Sequence, residues 1–220
     1  ADPAVEAKRR QLQAALALSL GLQLEARVEP KTPVTGPFSS FRPVETFSVA
    51  VPGQRFEVSV KLHGAEALTT ELRGPFAVEP LEKGRFRVTV PAGAAPVRAH
   101  WRRSSVRETA YTVDASAHFY APAPAPPLVA RVTFEGGEME TPVLVSPLDT
   151  LGVEKLQPLV VGPPVAVRFA TEAGILPLAS NTYEVQCAVR SYVDGPAAGG
   201  VRLRVPAGWT VEPAVQPFAF

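Results

Sequence analysis

Apolar residues in this chain recur at every second position, with proline or glycine between the runs, and this alternation constrains the fold more than any other feature. RFEVSVKL puts Phe56, Val58, Val60 and Leu62 on one face, and GRFRVTV does the same with Phe86, Val88 and Val90. Later, QPLVVGPPVAVRF turns Val165, Val167 and Phe169 inward, and YEVQCAV adds Tyr183, Val185, Cys187 and Val189. A period of two belongs to a strand with one buried face. LVARVTFEGGEMETPVLV reads as a hairpin, with Gly136-Gly137 supplying a two-residue turn. The 24 prolines fall between these runs, and APAPAPP (121–127) is a rigid connector that no sheet interior accepts.

Only the start departs from this rhythm. DPAVEAKRRQLQAALALS reads as one helix, with Asp2 as cap, Pro3 in the first turn and Gly21 as stop. Val5, Leu12, Leu16 and Leu20 recur at near-helical spacing, while Lys8, Arg9 and Arg10 take other faces. A strand over LQLEARVE then follows. The expected architecture is mainly β: two Ig-like β-sandwich domains behind one N-terminal helix. The helix and its connector occupy 1–23, a first sandwich 24–156 and a second 157–220, with the break at Gln157.

An internal repeat supports two domains of one kind. VPGQRFEVSVKL followed by TELRGPFAVEPLEKGRFRVTVP is matched by LASNTYEVQCAV followed by LRVPAGWTVEPAVQPFAF. Phe56 aligns with Tyr183, Phe76 with Trp209, and Val78-Glu79-Pro80 with Val211-Glu212-Pro213. The second copy reaches Phe218 and Phe220 where the first begins the strand of Phe86. The second sandwich is therefore expected to be incomplete, and the chain to be a piece of a longer polypeptide. Phe76 and Trp209 are expected to plug the same hydrophobic end of each sandwich.

Chemistry-bearing residues are sparse. The formal net charge of +1 gives no footprint for nucleic acid, and no apolar run is long enough to span a membrane. The single cysteine, Cys187, excludes an internal disulfide, and its place in the alternation marks it as a small buried hydrophobe. His63, His100 and His118 are not at metal-ligand spacing, so no metal site is expected in this chain. Glu135, Glu138 and Glu140 flank a hairpin turn, where a solvated loop is a simpler reading than paired acid–base catalysis. The strongest binding candidate is RAHWRRSSVR with the aromatics after it: Trp101, Arg102, Arg103, Arg107, Tyr111, Phe119 and Tyr120. Trp and Arg are enriched at binding hot spots. The plainer alternative has Trp101 covering a sandwich end with the arginines in solvent.

Three segments together carry a family resemblance: AKRRQLQAALALSLGLQLEA, FSVAVPGQRFEVSVKL, and the stretch from ILPLASNTYEVQCAV through VRLRVPAGWTVEPAVQPFAF. Their order resembles the region downstream of the catalytic domain in large bacterial PIG-L (LmbE-like) deacetylases, where a helical segment leads into Ig-like β-domains. The Gly208-Trp209…Pro213…Phe218 pattern is similar to a domain attached to many glycosidases. The resemblance implies a zinc-dependent N-deacetylase of N-acetylglucosamine-type sugars whose Ala-His-Pro-Asp-Asp motif lies outside this sequence. Leu-His63-Gly, Ala-His100-Trp and Ala-His118-Phe lack the Pro-Asp-Asp that would follow. The chain itself is thus expected to be non-catalytic, to need no cofactor, and to dock on or shape the catalytic domain of the same polypeptide. A carbohydrate- or cell-surface-binding module is the alternative. It requires solvent-exposed aromatics, whereas the docking reading requires Trp101 and its neighbours buried or facing the helix or a partner.

Overall fold

Alternation becomes strand, and the one helical pattern becomes the one helix among the described residues of a computed structural model, which describes residues 2–31, 45–113, 123–170, 173–175 and 179–220. Helix α1 spans Pro3–Ser19. The Asp2 carboxylate accepts from the Ala4 amide at 2.8 Å, satisfying a first-turn donor that the helix itself leaves unpaired. Glu6 in the first turn pairs with Arg9. The Arg9 hydrogen bond is the main cause that holds the Glu6 carboxyl below its ordinary pKa. At the other end Leu20 caps the helix, and Gly21 at φ 67° makes a left-handed turn into the sheet.

Two compact units follow from the contacts, Ala1–Gly162 and Pro163–Phe220. The first contains β1 (Gln23–Val28), β2 (Arg55–His63), β3 (Ala67–Arg73), β4 (Ala77–Pro80) and β5 (Arg85–Thr89). Its later strands are β6 (Trp101–Arg102), β7 (Thr112–Val113), β8 (Val129–Phe134), β9 (Gly137–Pro142), β10 (Leu144–Val145) and β11 (Gln157–Pro158). A six-stranded sheet runs β11-β10-β1-β2-β5-β4, and a three-stranded sheet runs β3-β8-β9. Only β1 and β10 pair in parallel within it.

The two sheets share one core. Val58, Val60, Phe86 and Val88 from the larger sheet are buried in the same cluster as Leu128, Ala130 and Val132 from the smaller. Full burial of each such side chain is worth about 1.5–3 kcal/mol relative to exposure. The in-facing sets read from the alternation of β2 and β5 are therefore the observed core, with Leu62 at its margin.

Two details differ from the sequence reading. The β8–β9 turn is Glu135-Gly136, because Gly137 already pairs with Phe134. Gly136, at φ 100°, supplies the left-handed residue, and a Cβ on Gly137 would meet the Phe134 ring at 3.3 Å. The division between units lies after Gly162 rather than at Gln157. Gln157–Pro158 is the edge strand β11, and Leu159 and Val161 are buried in the first core. Backbone bonds between Ala50 and both Val160 and Gly162, each 2.9 Å, stitch this segment in place.

The second unit pairs β12 (Val165–Phe169) with β13 (Cys187–Ser191), and β14 (Ala198–Val201) with β15 (Gln216–Ala219). Among its described residues none is buried. Val167 and Phe169 are exposed instead of inward, and Cys187 is half-buried rather than a core residue. Two separate two-stranded ribbons cannot enclose a core of their own.

The position of Leu159 makes the boundary testable. Leu159→Ala should destabilise the first unit by about 2–5 kcal/mol, the cost of a buried leucine cavity. Leu151→Ala, at an exposed site, should change stability by no more than about 0.5 kcal/mol. Urea unfolding of both variants distinguishes a core role for 157–162 from a linker role, for which the two substitutions would be equivalent.

Candidate functional site

The residues singled out around Trp101 come together on a short antiparallel ribbon, where Trp101 lies opposite Val113 and Arg102 opposite Thr112. That register brings Trp101 against Tyr111. Their ring centroids are 4.9 Å apart at an interplanar angle of 77°, an edge-to-face contact. The Arg103 guanidinium sits 4.8 Å from the Tyr111 ring centroid, at cation–π distance, and also donates to the Glu108 carbonyl at 3.3 Å. Arg103 thus ties the loop between the strands to its own aromatic pair.

Glu108 closes the same loop from the other side. Its carboxylate accepts from the Ser104 amide at 3.0 Å and from the Ser104 hydroxyl. These bonds hold the Glu108 carboxyl below its ordinary pKa. The one acidic side chain in RAHWRRSSVRETAY is therefore engaged locally, among four arginines. The Arg107 amide bonds the Ser105 hydroxyl, while its guanidinium makes no ion pair among the described residues.

Exposure here runs against burial under the protein's own body. Trp101 is 46% exposed and Tyr111 52%. His100, between Arg98 and Trp101, is buried and anchors the ribbon's start. Phe119, Tyr120 and His118 lie outside the described residues. His63 stands exposed at the end of β2, and among the described residues no three His, Cys, Asp or Glu side chains converge as a metal site would require. Among the described residues no side chains are arranged to fit the zinc centre that the family resemblance implies for its catalytic domain.

A second feature concerns α1. Ala17 is buried with Leu22 and Phe134, with Leu62 and Met139 packed beside them. Arg9 reaches Glu138 at 3.4 Å, and Glu138 also pairs with Arg131. Glu140 stands 3.8 Å from Arg131 and 3.9 Å from Arg73, so the acidic side chains of β9 belong to an ion-pair cluster. Beside this contact Arg10, Gln13, Ala14, Ala17 and Met139 line a cavity of about 550 Å³. The helix consequently meets the sheet through small and polar residues. Val5, Leu12, Leu16 and Leu20 all remain exposed, with Leu12 at 71%.

A third feature belongs to the second unit. Trp209, aligned with buried Phe76, is 49% exposed, so the two do not plug equivalent ends. Together with Tyr183, Val185, Cys187, Leu203 and Phe218, Trp209 lines an open apolar cleft of about 650 Å³. The alternation places Tyr183, Val185 and Cys187 in a core and Trp209 at its end, and nothing in it announces a cleft. Among the described residues β13 pairs with β12 alone, whereas β2 is flanked by β1 and β5.

The bonds to Glu108 carry a pH dependence. A carboxyl with a depressed folded pKa adds stability above its unfolded value and loses it as pH falls through the folded one. The ribbon loop should therefore hold at neutral pH and loosen on acidification below the ordinary carboxylate range. Near-ultraviolet circular dichroism of the Trp101–Tyr111 pair reads this, and Glu108→Gln should abolish the acid-side change. An identical acid transition in that variant would assign the change elsewhere. Compared with known proteins, the chain matches no family model, no curated protein and no solved structure.

Proposed function

We propose that this chain is a non-catalytic, β-rich accessory region of a larger PIG-L-type zinc-dependent deacetylase, docking on its catalytic domain or shaping access to it. The observation that carries the docking reading is the orientation of α1. An amphipathic helix ordinarily buries its apolar stripe. Here Ala17 faces the sheet, and Val5, Leu12 and Leu16 face outward. Exposed aliphatic side chains along one helix support an interaction site there. The Ig-like character and the link to a deacetylase rest on the three resembling sequence segments.

A carbohydrate- or surface-binding role is a second reading, favoured by the exposure of Trp101 and Tyr111. It does not compete for α1.

Two measurements test the docking reading. The coding region upstream should contain an Ala-His-Pro-Asp-Asp segment; a coding region without one removes the deacetylase assignment. In the full polypeptide, Leu12→Lys with Leu16→Lys should lower the melting temperature and the deacetylase activity. The same pair in this chain alone should change stability by no more than about 0.5 kcal/mol per site, because both side chains are exposed. Unaltered stability and activity in the full polypeptide would end the docking proposal.

A further inference from the structure

We infer that the β6–β7 ribbon is a binding site for an acidic polysaccharide, with Trp101 as the platform for a sugar ring and the loop arginines as readers of its carboxylates. This rests on the surface-binding reading and adds the chemical class of the ligand.

The argument begins with charge. The whole chain carries a formal net charge of +1, yet Arg98, Arg102, Arg103 and Arg107 fall within one stretch that contains a single acid, Glu108. Glu108 spends its carboxylate on the Ser104 amide and hydroxyl. Arg107 makes no ion pair among the described residues, so this stretch of a nearly neutral molecule keeps cationic charge for a ligand. Arginine presents a planar fork of donors that matches a carboxylate bidentately. A neutral sugar would have no use for this excess.

Ring geometry supplies the second half. Trp101 and Tyr111 are both half-exposed, although each is large enough to be worth burying. Their edge-to-face contact holds the indole in place, and Arg103 stacked on Tyr111 stiffens the pair. The apolar C–H face of a pyranose fits such an indole. A single-stranded nucleic acid is the other polyanion to consider. It calls for several aromatic platforms in series along a basic groove, whereas among the described residues this ribbon presents one ring pair. One platform with Arg103 stacked beside it and Arg107 in the adjoining loop suits one uronate residue at a time.

The test uses the full chain carrying Trp209→Phe. This leaves Trp101 as the single tryptophan, so its emission reports on the ribbon. The probes are polygalacturonate, neutral dextran and oligo-dT, each titrated at low and at physiological salt, with circular dichroism confirming that every variant folds. Polygalacturonate should shift the Trp101 emission and bind at both salt levels. Trp101→Ala, followed by calorimetry, and Arg107→Ala should each weaken binding about tenfold or more, as hot-spot truncations do. Equal binding of dextran would overturn the acidic specificity while leaving a carbohydrate module standing. Oligo-dT binding as tight as polygalacturonate would overturn the assignment to sugars. Polygalacturonate binding that survives Trp101→Ala and vanishes at physiological salt would reduce the site to unspecific charge and overturn the inference. No binding of any probe would remove the surface-binding reading together with it.

Discussion

In the register of β2 and β5, Phe56 lies opposite Val88 and Val58 opposite Phe86, and all four side chains are buried in one cluster with Leu128, Ala130 and Val132 of the facing sheet. Everything else in the first unit is arranged around this contact. Cross-strand apolar pairs favour the pairing, but burial against a second layer supplies most of the stabilisation. The same packing fixes β8, and β8 fixes β9 beside it, where α1 rests. Segment 157–162 joins the first unit for the same reason. Leu159 and Val161 fill space in this core, and the bonds to Ala50 satisfy backbone groups that burial would otherwise strand.

The two repeats carry one pattern into two environments. Phe56 and Val58 are sealed, while their counterparts Tyr183 and Val185 are exposed; Phe76 is buried at 8%, and Trp209 is half in solvent. Neither residue type nor period accounts for this difference. In the first unit β2 has a strand on either side and a sheet above it, while among the described residues β13 pairs with β12 alone. An apolar face without a cover is an adhesive surface, and the second unit has several such residues lining one cleft.

The exposed surfaces differ in chemistry, and so do the partners they suit. On α1 the exposed residues include the aliphatic Val5, Leu12 and Leu16 beside the cationic Lys8, Arg9 and Arg10, and the helix is held by Ala17 and by the Arg9–Glu138 pair, a weak exposed attachment. On the ribbon the exposed groups are aromatic and cationic, preorganised by ring contacts and by the Glu108–Ser104 bonds. Preorganisation of this kind lowers the ordering cost of binding a small polar ligand.

Much was legible from residue order alone: the helix with its Asp2 cap and Gly21 exit, the in-facing sets of β2 and β5, and the β8–β9 hairpin to within one residue. These are local properties, because capping, strand alternation and turn chemistry depend on neighbours a few positions away. Tertiary structure decided the rest. It set which side of α1 meets the sheet, where the first unit ends, why Trp209 is open while Phe76 is not, and how the Trp101–Val113 register stacks Trp101, Tyr111 and Arg103. Alternation states which residues share a face; whether that face is buried depends on a segment far along the chain arriving to cover it.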